Sequence, residues 1–508
     1  MKYALLALSL GTLAGLSFGD GPKVERKPLN IGAAEEFGPV MKGLYNTALA
    51  PTNAKELEGE WVDHFMAYIN QTTIVEDRLH LQVGLGGVFQ FRKPEIPGLG
   101  FSSHQRKGFF IGPSTTEAVY HFGEPDAPWL KLGLGMFNYK YNPEAVNLGE
   151  YLFRGGAYPT FVRTGGYLVV NNASAQMQGF KANFHAGDFK ADVFLVTETA
   201  LAPLYDWSVA GVAEYSLGGG LLNLGAGVNF QHLLSVRPSR TAVKNNFNSY
   251  FTYQNTEYTG NTEFYSSRAG FEAGLADTLE KLDPAGNAAR VAELRASSAH
   301  YDSVAALITG LLADPVSKAQ LGLKYYSAAG ILLMARGTLD VKKAFGGDLF
   351  GPEDLKLYGE VDVLGVQNYP VFYKKVTERM PMMVGFNFPG FKILDQIALQ
   401  AEYFNSPWMN NTFMRASNRG GNIPFFPIAG DKVVSQNDYN DAAKKGHVKW
   451  SALVKKNIGK HVAFSTQVAS DHLSLTNSTY YYGPQFDPNE VTAFKDHWYW
   501  ISQLSFGI

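Results

Sequence analysis

The sequence has no cysteine among its 508 residues and no marked excess of charge of either sign. The first absence excludes disulfide scaffolds, thiolate metal sites, iron–sulfur clusters and cysteine nucleophiles. Lysine and arginine total 44 against 46 aspartate and glutamate residues, so the composition indicates no basic surface for nucleic acid. We therefore expect no nucleic acid among the partners of this chain.

Long apolar runs are also missing beyond the N-terminus. The best run, 304–313, has about half of the roughly 20 apolar residues that a membrane-spanning helix needs, which excludes a helical membrane protein. Residues 1–19 combine Lys2, a short apolar run and the small residues Ser17 and Gly19, the pattern of a secretory signal peptide. We expect cleavage after Gly19 and export of the mature chain.

Glycine and aromatic residues are abundant, with 53 Gly, 35 Phe, 27 Tyr and 7 Trp, yet the mean hydropathy is only −0.13. Residues 79–91 alternate apolar with polar side chains over a longer stretch than the usual globular strand of about five or six residues. A soluble β-sandwich also alternates, but strands of this length are rare in sandwiches. Aromatic residues crowd the predicted strand ends, among them Tyr139 and Tyr141, which favours the interfacial girdles of a membrane barrel.

We predict an all-β fold, an antiparallel transmembrane β-barrel of about 14 strands within a range of about 14 to 18. Short and long links alternate along the chain with one exception, as expected of a barrel with tight turns at one rim and long loops at the other. A further strand at 61–72 would raise the count to about 16, with a partner near 161–170. The predicted strands are 78–91, 108–122, 129–141, 174–185, 188–199, 206–217, 220–236, 319–342, 354–367, 381–388, 393–405, 446–456, 460–472 and 494–508.

Three regions divide the chain: the signal peptide 1–19, an N-terminal segment 20–60 and the barrel 61–508. We expect the segment 20–60 either in the periplasm or as a plug of the lumen, with a helix over 33–50. The longest extracellular link, 237–318, shows helical spacing in its second half. We expect these helices to cover the rim, with partner binding as the alternative. Their predicted apolar stripe is Val291, Leu294, Val304, Ile308 and Leu311.

The last residues of the chain alternate apolar with polar side chains and include Leu504, Phe506 and Ile508. This ending resembles the terminal strand of Gram-negative outer-membrane β-barrels, although Ile508 stands where that class has phenylalanine. The resemblance is to porin-like proteins as a class. It implies an outer-membrane location, outer-membrane lipid as surroundings and insertion by the barrel assembly machinery. Further copies of this chain or other envelope proteins are the other expected partners.

Catalytic motifs give no support for an enzyme. The stretch 84–87 lacks the final glycine of a dinucleotide loop and lies inside a predicted strand. Asp-His pairs occur at 63–64, 471–472 and 496–497, but neighbours in a strand point to opposite faces, so neither can orient the other. We expect no catalytic residue, no cofactor and no metal.

The lining of a barrel determines what passes through it, so the polar face of each strand supplies the candidate functional residues. Both charge signs occur there, which predicts no strong ion preference; alternatively, these residues pair across strands as a structural wall. The predicted pore-lining residues are His80, Gln82, Gln90, Lys131, Glu214, Asn229, Gln231, Lys324, Arg336, Asp340, Lys356, Glu360, Asp362, Glu402, Lys449 and Lys455.

The link 142–173 either folds inward as a constriction or forms an ordinary external loop. In the first case Arg154 and Arg163 would face Glu150 or another acid. The expected function is a porin-like channel for passive diffusion of small hydrophilic solutes. The alternative is a surface scaffold or adhesin whose long loops, 237–318 and 406–445, bind envelope or extracellular partners.

Overall fold

The computed structural model describes residues 22–47, 50–92, 108–154, 175–197, 206–235, 249–260, 262–325, 330–345, 349–366, 375–405, 448–471, 473 and 496–508. In chain order the strands are β1 (Val24–Arg26), β2 (Asn30–Thr47), β3 (Ala50–Leu57), β4 (Glu60–Val75), β5 (Leu79–Arg92), β6 (Gly108–Glu124), β7 (Ala127–Tyr139), β8 (Ala175–Ala186), β9 (Phe189–Thr197), β10 (Asp206–Leu217), β11 (Leu222–Ser235), β12 (Ser249–Tyr253), β13 (Thr256–Thr259), β14 (Lys324–Tyr325), β15 (Gly330–Asp340), β16 (Lys356–Val363), β17 (Met382–Phe388), β18 (Gln396–Tyr403), β19 (Val448–Ile458), β20 (Val462–Ala469) and β21 (Trp498–Gly507).

Sixteen strands within these ranges close into an antiparallel barrel. Each strand from β4 to β11 and from β15 to β21 pairs with the barrel strand that follows it. The strand β2 closes the ring, because Glu36 lies opposite His64 on β4 and opposite Gln503 on β21. The predicted barrel is confirmed, and its 16 strands fall inside the expected range, two above the preferred count of 14.

The N-terminal segment is part of the barrel wall, so its assignment to a plug or a periplasmic helix is wrong. Residues 30–47 form the closing strand β2. Gly38, Pro39 and Gly43 lie in this stretch, and glycine and proline are the weakest helix formers. The missing partner of the 61–72 strand is therefore β2, whereas the segment 161–170 lies outside the described residues.

The predicted strand 319–342 is also wrong in its first half. A helix, Pro315–Gln320, precedes β14, and only β15 belongs to the barrel. Asp314 begins that helix by accepting hydrogen bonds from the Ser317 hydroxyl at 2.5 Å and from the Ser317 N–H at 2.8 Å, and these two hydrogen bonds lower the pKa of the Asp314 carboxyl. The N-terminal cap and the proline after it stop a strand from extending upstream of β14.

The long link between β11 and β15 contains a small folded unit, and its predicted helices are confirmed. The helices Thr262–Leu282 and Ala288–Ala313 form a hairpin beside a three-stranded sheet of β12, β13 and β14. Phe251 from the sheet packs with Tyr265 and Ile308 from the helices, so the unit has an apolar core of its own. Burial raises the pKa of Tyr265 to about 12. No helix among the described residues is long and apolar enough to cross a bilayer.

The outer face of the barrel is apolar and the inner face is polar. Leu134 on β7 and Val384 on β17 point outward with 51% and 54% of their surface exposed, although both are large apolar residues. Inward-pointing neighbours include Lys131 and Glu360. Tyr139 and Tyr141 do not lie in an outer girdle, because both pack inside the barrel among the residues of an aromatic cluster.

Candidate functional site

The chain enters the lumen directly after β7. Residues 144–153 are all buried, and this stretch includes the helical turn Tyr151–Arg154. It contacts distant parts of the wall, since the Asn147 N–H donates to Gln400 Oε1 on β18 at 3.0 Å and Asn229 Nδ2 on β11 donates to the Leu152 carbonyl at 3.2 Å. The segment 140–154, which we call the crossing segment, therefore spans the inside of the barrel.

Two wall carboxylates hold the crossing segment at its sharpest turn. Glu360 accepts hydrogen bonds from the Tyr141 hydroxyl at 2.8 Å and from the Glu150 N–H at 2.5 Å. Glu402 accepts one from the Tyr151 hydroxyl at 2.6 Å and one from the Gly149 N–H at 3.3 Å. Buried N–H and O–H groups need such acceptors, because each unsatisfied donor costs about 1–3 kcal/mol. The two carboxylates thus fix the position of a turn that has no strand partners.

Backbone geometry shows why a turn forms at this point. Gly149 and Glu150 both have a positive φ, 85° and 61°, a region that side chains other than glycine rarely adopt. A Cβ at position 149 would lie 2.8 Å from the Cε atom of Met383, the mobile end of a flexible side chain that can shift aside. The positive φ is therefore what favours glycine at 149.

Glu144 anchors the other end of the crossing segment to basic and polar wall residues. Its carboxylate accepts from the Thr338 hydroxyl at 3.2 Å and lies 3.5 Å from Lys356 Nζ. Arg336 lies 3.9 Å from the same carboxylate and pairs more closely with Glu214 on β10. Because Glu144 and Arg336 are both buried, this network holds charge away from solvent, where breaking one partner is costly.

Apolar side chains complete the attachment. Leu152 and Phe153 pack against Phe194 on β9 and against Met334 on β15, and all four side chains are buried. The ring centroids of Phe153 and Phe194 lie 6.2 Å apart in an edge-to-face arrangement. This cluster is a hydrophobic core inside the barrel, and a second one joins Val146 of the crossing segment to Leu453 on β19 and Tyr499 on β21.

The inward faces of β15 to β21, which we call the packed wall, are buried along most of their length. Glu360, Asp362, Glu402 and Lys449 are each no more than 5% exposed. The Nζ atom of Lys449 has no hydrogen-bond partner among the described residues. The packed wall thus exposes little surface to the lumen.

The inward faces of β5 to β8, which we call the accessible wall, retain partly exposed polar side chains. Lys181 Nζ lies 2.6 Å from the Glu117 carboxylate and 4.6 Å from the centre of the Phe137 ring. Both partners of this ion pair keep about one seventh of their side-chain surface exposed, 15% and 14%. The His80 and His121 rings stack at 4.0 Å nearby. This wall is where solute could contact charged groups.

The structure separates the predicted lining residues into three sets. His80, Gln82, Lys131, Glu214, Lys356 and Lys455 are on inward faces and partly exposed, whereas Asn229, Arg336, Asp340, Glu360, Asp362, Glu402 and Lys449 are on inward faces and buried. Gln90 and Gln231 lie on β5 and β11, but their side chains are outside the described set. The prediction of Lys324 as a lining residue is wrong, because β14 pairs with β12 in the small sheet of the insert.

The predicted constriction residues have a mixed placement. Glu150 is buried in the crossing segment and accepts a hydrogen bond from the Asn142 N–H at 3.0 Å. The side chain of Arg154 and the whole of Arg163 lie outside the described residues. At the C-terminus, Leu504 and Phe506 lie on β21, and Ile508 follows it with 83% of its surface exposed.

Sequence reasoning missed several residues that build the site. Glu117 and Lys181 follow the two-residue period of their strands, so the alternation could have identified them. Glu144 and Asn147 lie in a link whose sequence has no hydrophobic period. Their partners on the wall are far away in sequence: Thr338 lies 194 residues from Glu144, and Gln400 lies 253 residues from Asn147. No local signal predicts such contacts.

No family model and no curated protein matches this sequence. Among solved structures, a triple mutant of the Rhodopseudomonas blastica porin is similar with a TM-score of 0.38 at 7% identity, covering 95% of this chain and 100% of that chain. Another variant of the same porin has a TM-score of 0.39 at 7% identity, with the same coverage. Identity and similarity at this level transfer neither family membership nor function.

The described residues contain no group of three or more His, Asp or Glu side chains arranged to hold a metal ion. The Asp-His pairs lie in separate places: Asp63 is on β4, Asp471 follows β20 and Asp496 precedes β21. What the arrangement offers chemically is a charged, partly exposed wall opposite a crossing segment.

Proposed function

We propose that this protein is an outer-membrane, porin-like channel for passive diffusion of small hydrophilic solutes. The observation that carries the proposal is the closed barrel with an apolar outer face and a charged, partly exposed accessible wall inside it. A closed barrel satisfies every strand hydrogen bond within a bilayer, which makes it one of two viable spanning structures. The secretory signal pattern in residues 1–19 supports export to the outer membrane.

The path for solute runs between the crossing segment and the accessible wall. Two features support this route: the packed wall is buried, and the polar side chains of β5 to β8 stay partly exposed. We expect a narrow conduit, since a barrel of about 16 strands leaves an aqueous channel only where its lumen is not filled. Glu117, Lys131 and Lys181 lie along the route, so both charge signs are present and a weak ion preference is expected.

Planar-bilayer conductance tests the proposal. The full mature chain, inserted in a bilayer, should give steady single-channel steps that small neutral sugars partly block. The matched control is the chain without residues 249–325, which removes the folded insert but no barrel strand. Conductance should persist or rise in this variant. A correctly folded barrel that gives no steps in either form would overturn the channel proposal.

A second candidate is a surface scaffold in which the barrel anchors a partner-binding unit. The specific observation that favours it is the insert between β11 and β15, which has its own helical hairpin, sheet and apolar core. The deletion of 249–325 separates the two functions. Loss of bound envelope partners with unchanged conductance would support a scaffold role carried by the insert.

A further inference from the structure

Four of the five strands from β16 to β20 are unusually short, the exception being β19 with 11 residues. The strands β16, β17, β18 and β20 have 8, 7, 8 and 8 residues, whereas β4, β5, β6 and β7 have 16, 14, 17 and 13. At about 3.3 Å per residue and a tilt near 40°, eight residues span about 20 Å along the bilayer normal. The apolar band of a membrane barrel is about 25 Å tall, so these strands are too short to fill it.

The outward faces agree with this arithmetic. On β17 every outward residue is apolar from end to end, Met382, Val384, Phe386 and Phe388. On the long strand β7 the apolar outward series ends at Met136 and Asn138 follows, and β6 ends in the charged Glu124. The long strands therefore extend beyond the apolar band, whereas the short strands end inside it.

The turns that border the short strands β16, β17 and β18 at this rim continue the apolar surface. Phe345 and Leu349 in the β15–β16 turn are 73% and 61% exposed, and Phe391 and Ile393 in the β17–β18 turn are 47% and 74% exposed. We call these four side chains, together with Phe350, the apolar knob. The turns that join β4–β5, β6–β7 and β8–β9 at the same rim expose Glu76, Asp126 and Asp188 instead.

The apolar knob is held rigidly by one buried carboxylate. Asp354 is fully buried and accepts hydrogen bonds from the Gly351 N–H at 2.8 Å in its own turn, the Gly390 N–H at 2.9 Å and the Phe391 N–H at 3.2 Å in the next turn. Phe391 and Lys392 have positive φ angles of 50° and 62°, which are strained for residues of this size. A conformation of this kind persists only where the surroundings impose it, and it directs large apolar side chains away from the fold.

Lysine predominates among the unpaired exposed charges around the apolar knob. In the described parts of the turns β15–β16, β17–β18 and β19–β20, the exposed Lys and Arg side chains are Lys343, Lys392 and Lys460. Glu353 and Asp395 keep 38% and 37% of their side-chain surface exposed, but each forms an ion pair with a strand lysine, Lys356 and Lys456. Lys343 donates to the Gly219 carbonyl, which leaves Lys392 and Lys460 as the pair that faces solvent. Lysine beside an apolar surface attracts anionic lipid headgroups, at about 1 kcal/mol for each lysine.

We infer that the apolar knob lies in the membrane, where it completes the apolar band of the short strands and places Lys392 and Lys460 at the anionic headgroups of the tight-turn leaflet. The inference rests on the proposed membrane-spanning barrel and adds which turns contact lipid. The opposite sector, with its acidic turns on long strands, projects into water. At this rim, the turns next to β16 to β18 consequently anchor the barrel in lipid, whereas the turns of the opposite sector do not.

Site-directed spin labelling can test the inference, because the natural chain has no cysteine to remove. Three single-cysteine variants, Ile393→Cys, Asp188→Cys and Leu399→Cys, are labelled with a nitroxide and reconstituted in vesicles of phosphatidylethanolamine and phosphatidylglycerol. Collision with oxygen reports lipid, and collision with a polar nickel chelate reports water. The label at 393 should collide mainly with oxygen, as the label at 399 on the outward face of β18 does. The label at 188 should collide mainly with the nickel chelate.

The three labels distinguish the possible failures. If the 399 label is exposed to water, the membrane-spanning barrel itself is wrong. If 399 lies in lipid but 393 reports water, only the inference on the apolar knob is overturned. Shielding of the 393 label from both reagents would mean that a protein covers the knob, which also overturns a lipid contact.

A separate variant tests the headgroup contact. In the double substitution Lys392→Gln and Lys460→Gln, binding of spin-labelled phosphatidylglycerol to this rim should fall, by about fivefold for each lysine lost. Binding of spin-labelled phosphatidylcholine should stay unchanged. An equal fall for both lipids, or none for phosphatidylglycerol, would contradict the role of the lysines.

Discussion

The packed wall and the accessible wall are made of the same kinds of residue, yet they differ in burial. Glu402 on the packed wall is 1% exposed, whereas Glu117 on the accessible wall keeps 14% of its side chain exposed. The difference comes from the crossing segment, whose N–H and hydroxyl groups bind the carboxylates of the packed wall. The comparison teaches that a charged inward residue can either hold the crossing segment or stay accessible from the lumen, according to what covers it.

The largest effect on conductance is expected from removing the two carboxylates that hold the crossing segment against the packed wall. In the variant Glu360→Ala with Glu402→Ala, five buried donors lose their acceptors, at a cost of about 1–3 kcal/mol each. We expect the segment to detach, with a higher and noisier single-channel conductance. The control Asp188→Ala, which removes a carboxylate from an exposed turn outside the lumen, should leave the conductance steady. Unchanged conductance in the double variant would show that the packed wall does not depend on these anchors.

The second prediction concerns the apolar side of the same attachment. Phe153→Ala should lower the free energy of unfolding by about 3–5 kcal/mol, the usual cost of emptying a buried phenylalanine site. Denaturant unfolding of the barrel in lipid vesicles measures the change. Leu134→Ala is the matched control, because Leu134 is large and apolar but points outward with 51% of its surface exposed. Equal losses for both variants would contradict a core inside the lumen.

The third prediction addresses the accessible wall. Glu117→Gln leaves the positive charge of Lys181 without its partner beside the solute path. The conductance should then shift toward anions, seen as a change in reversal potential under a potassium chloride gradient. Asp188→Asn removes an equal charge from an exposed turn outside the path and should leave the reversal potential unchanged. If Glu117→Gln behaves in the same way, the route along this wall is wrong.

The smallest effect is expected where a charge pair lies at the rim in full solvent. Lys23 Nζ lies 2.8 Å from Asp77, and the hydrogen bond and charge of Asp77 raise the pKa of Lys23. Exposed pairs of this kind contribute little and are screened by salt. Asp77→Asn removes the charge but keeps a residue that tolerates the positive φ of 55° at this position, and it should therefore give the same unfolding midpoint as the natural chain. A loss comparable to that of Phe153→Ala would mean that rim charges stabilise the barrel as strongly as its inner core.

The sequence predicted most strands because a barrel strand has one lipid face and one inner face. The alternation along 79–91 reappears in β5, and the helical spacing in the second half of 237–318 reappears in the helix Ala288–Ala313. The closing strand β2 was missed because Gly38, Pro39 and Gly43 break the alternation. Its pairing with β21 joins residues more than 400 positions apart, since Glu36 lies opposite Gln503, which no local pattern encodes.

By itself, the sequence determined the two-faced wall, since a period of two places apolar and polar residues on opposite sides of every strand. It also determined the chemistry available inside, because it supplies the inward lysines, glutamates and glutamines. Only the tertiary structure decided which of these residues are buried, as the crossing segment covers β15 to β21 and leaves β5 to β8 accessible. The reason is physical: the burial of Glu360 depends on hydrogen-bond donors from 141–150. Those donors reach Glu360 only because the barrel closes around the crossing segment.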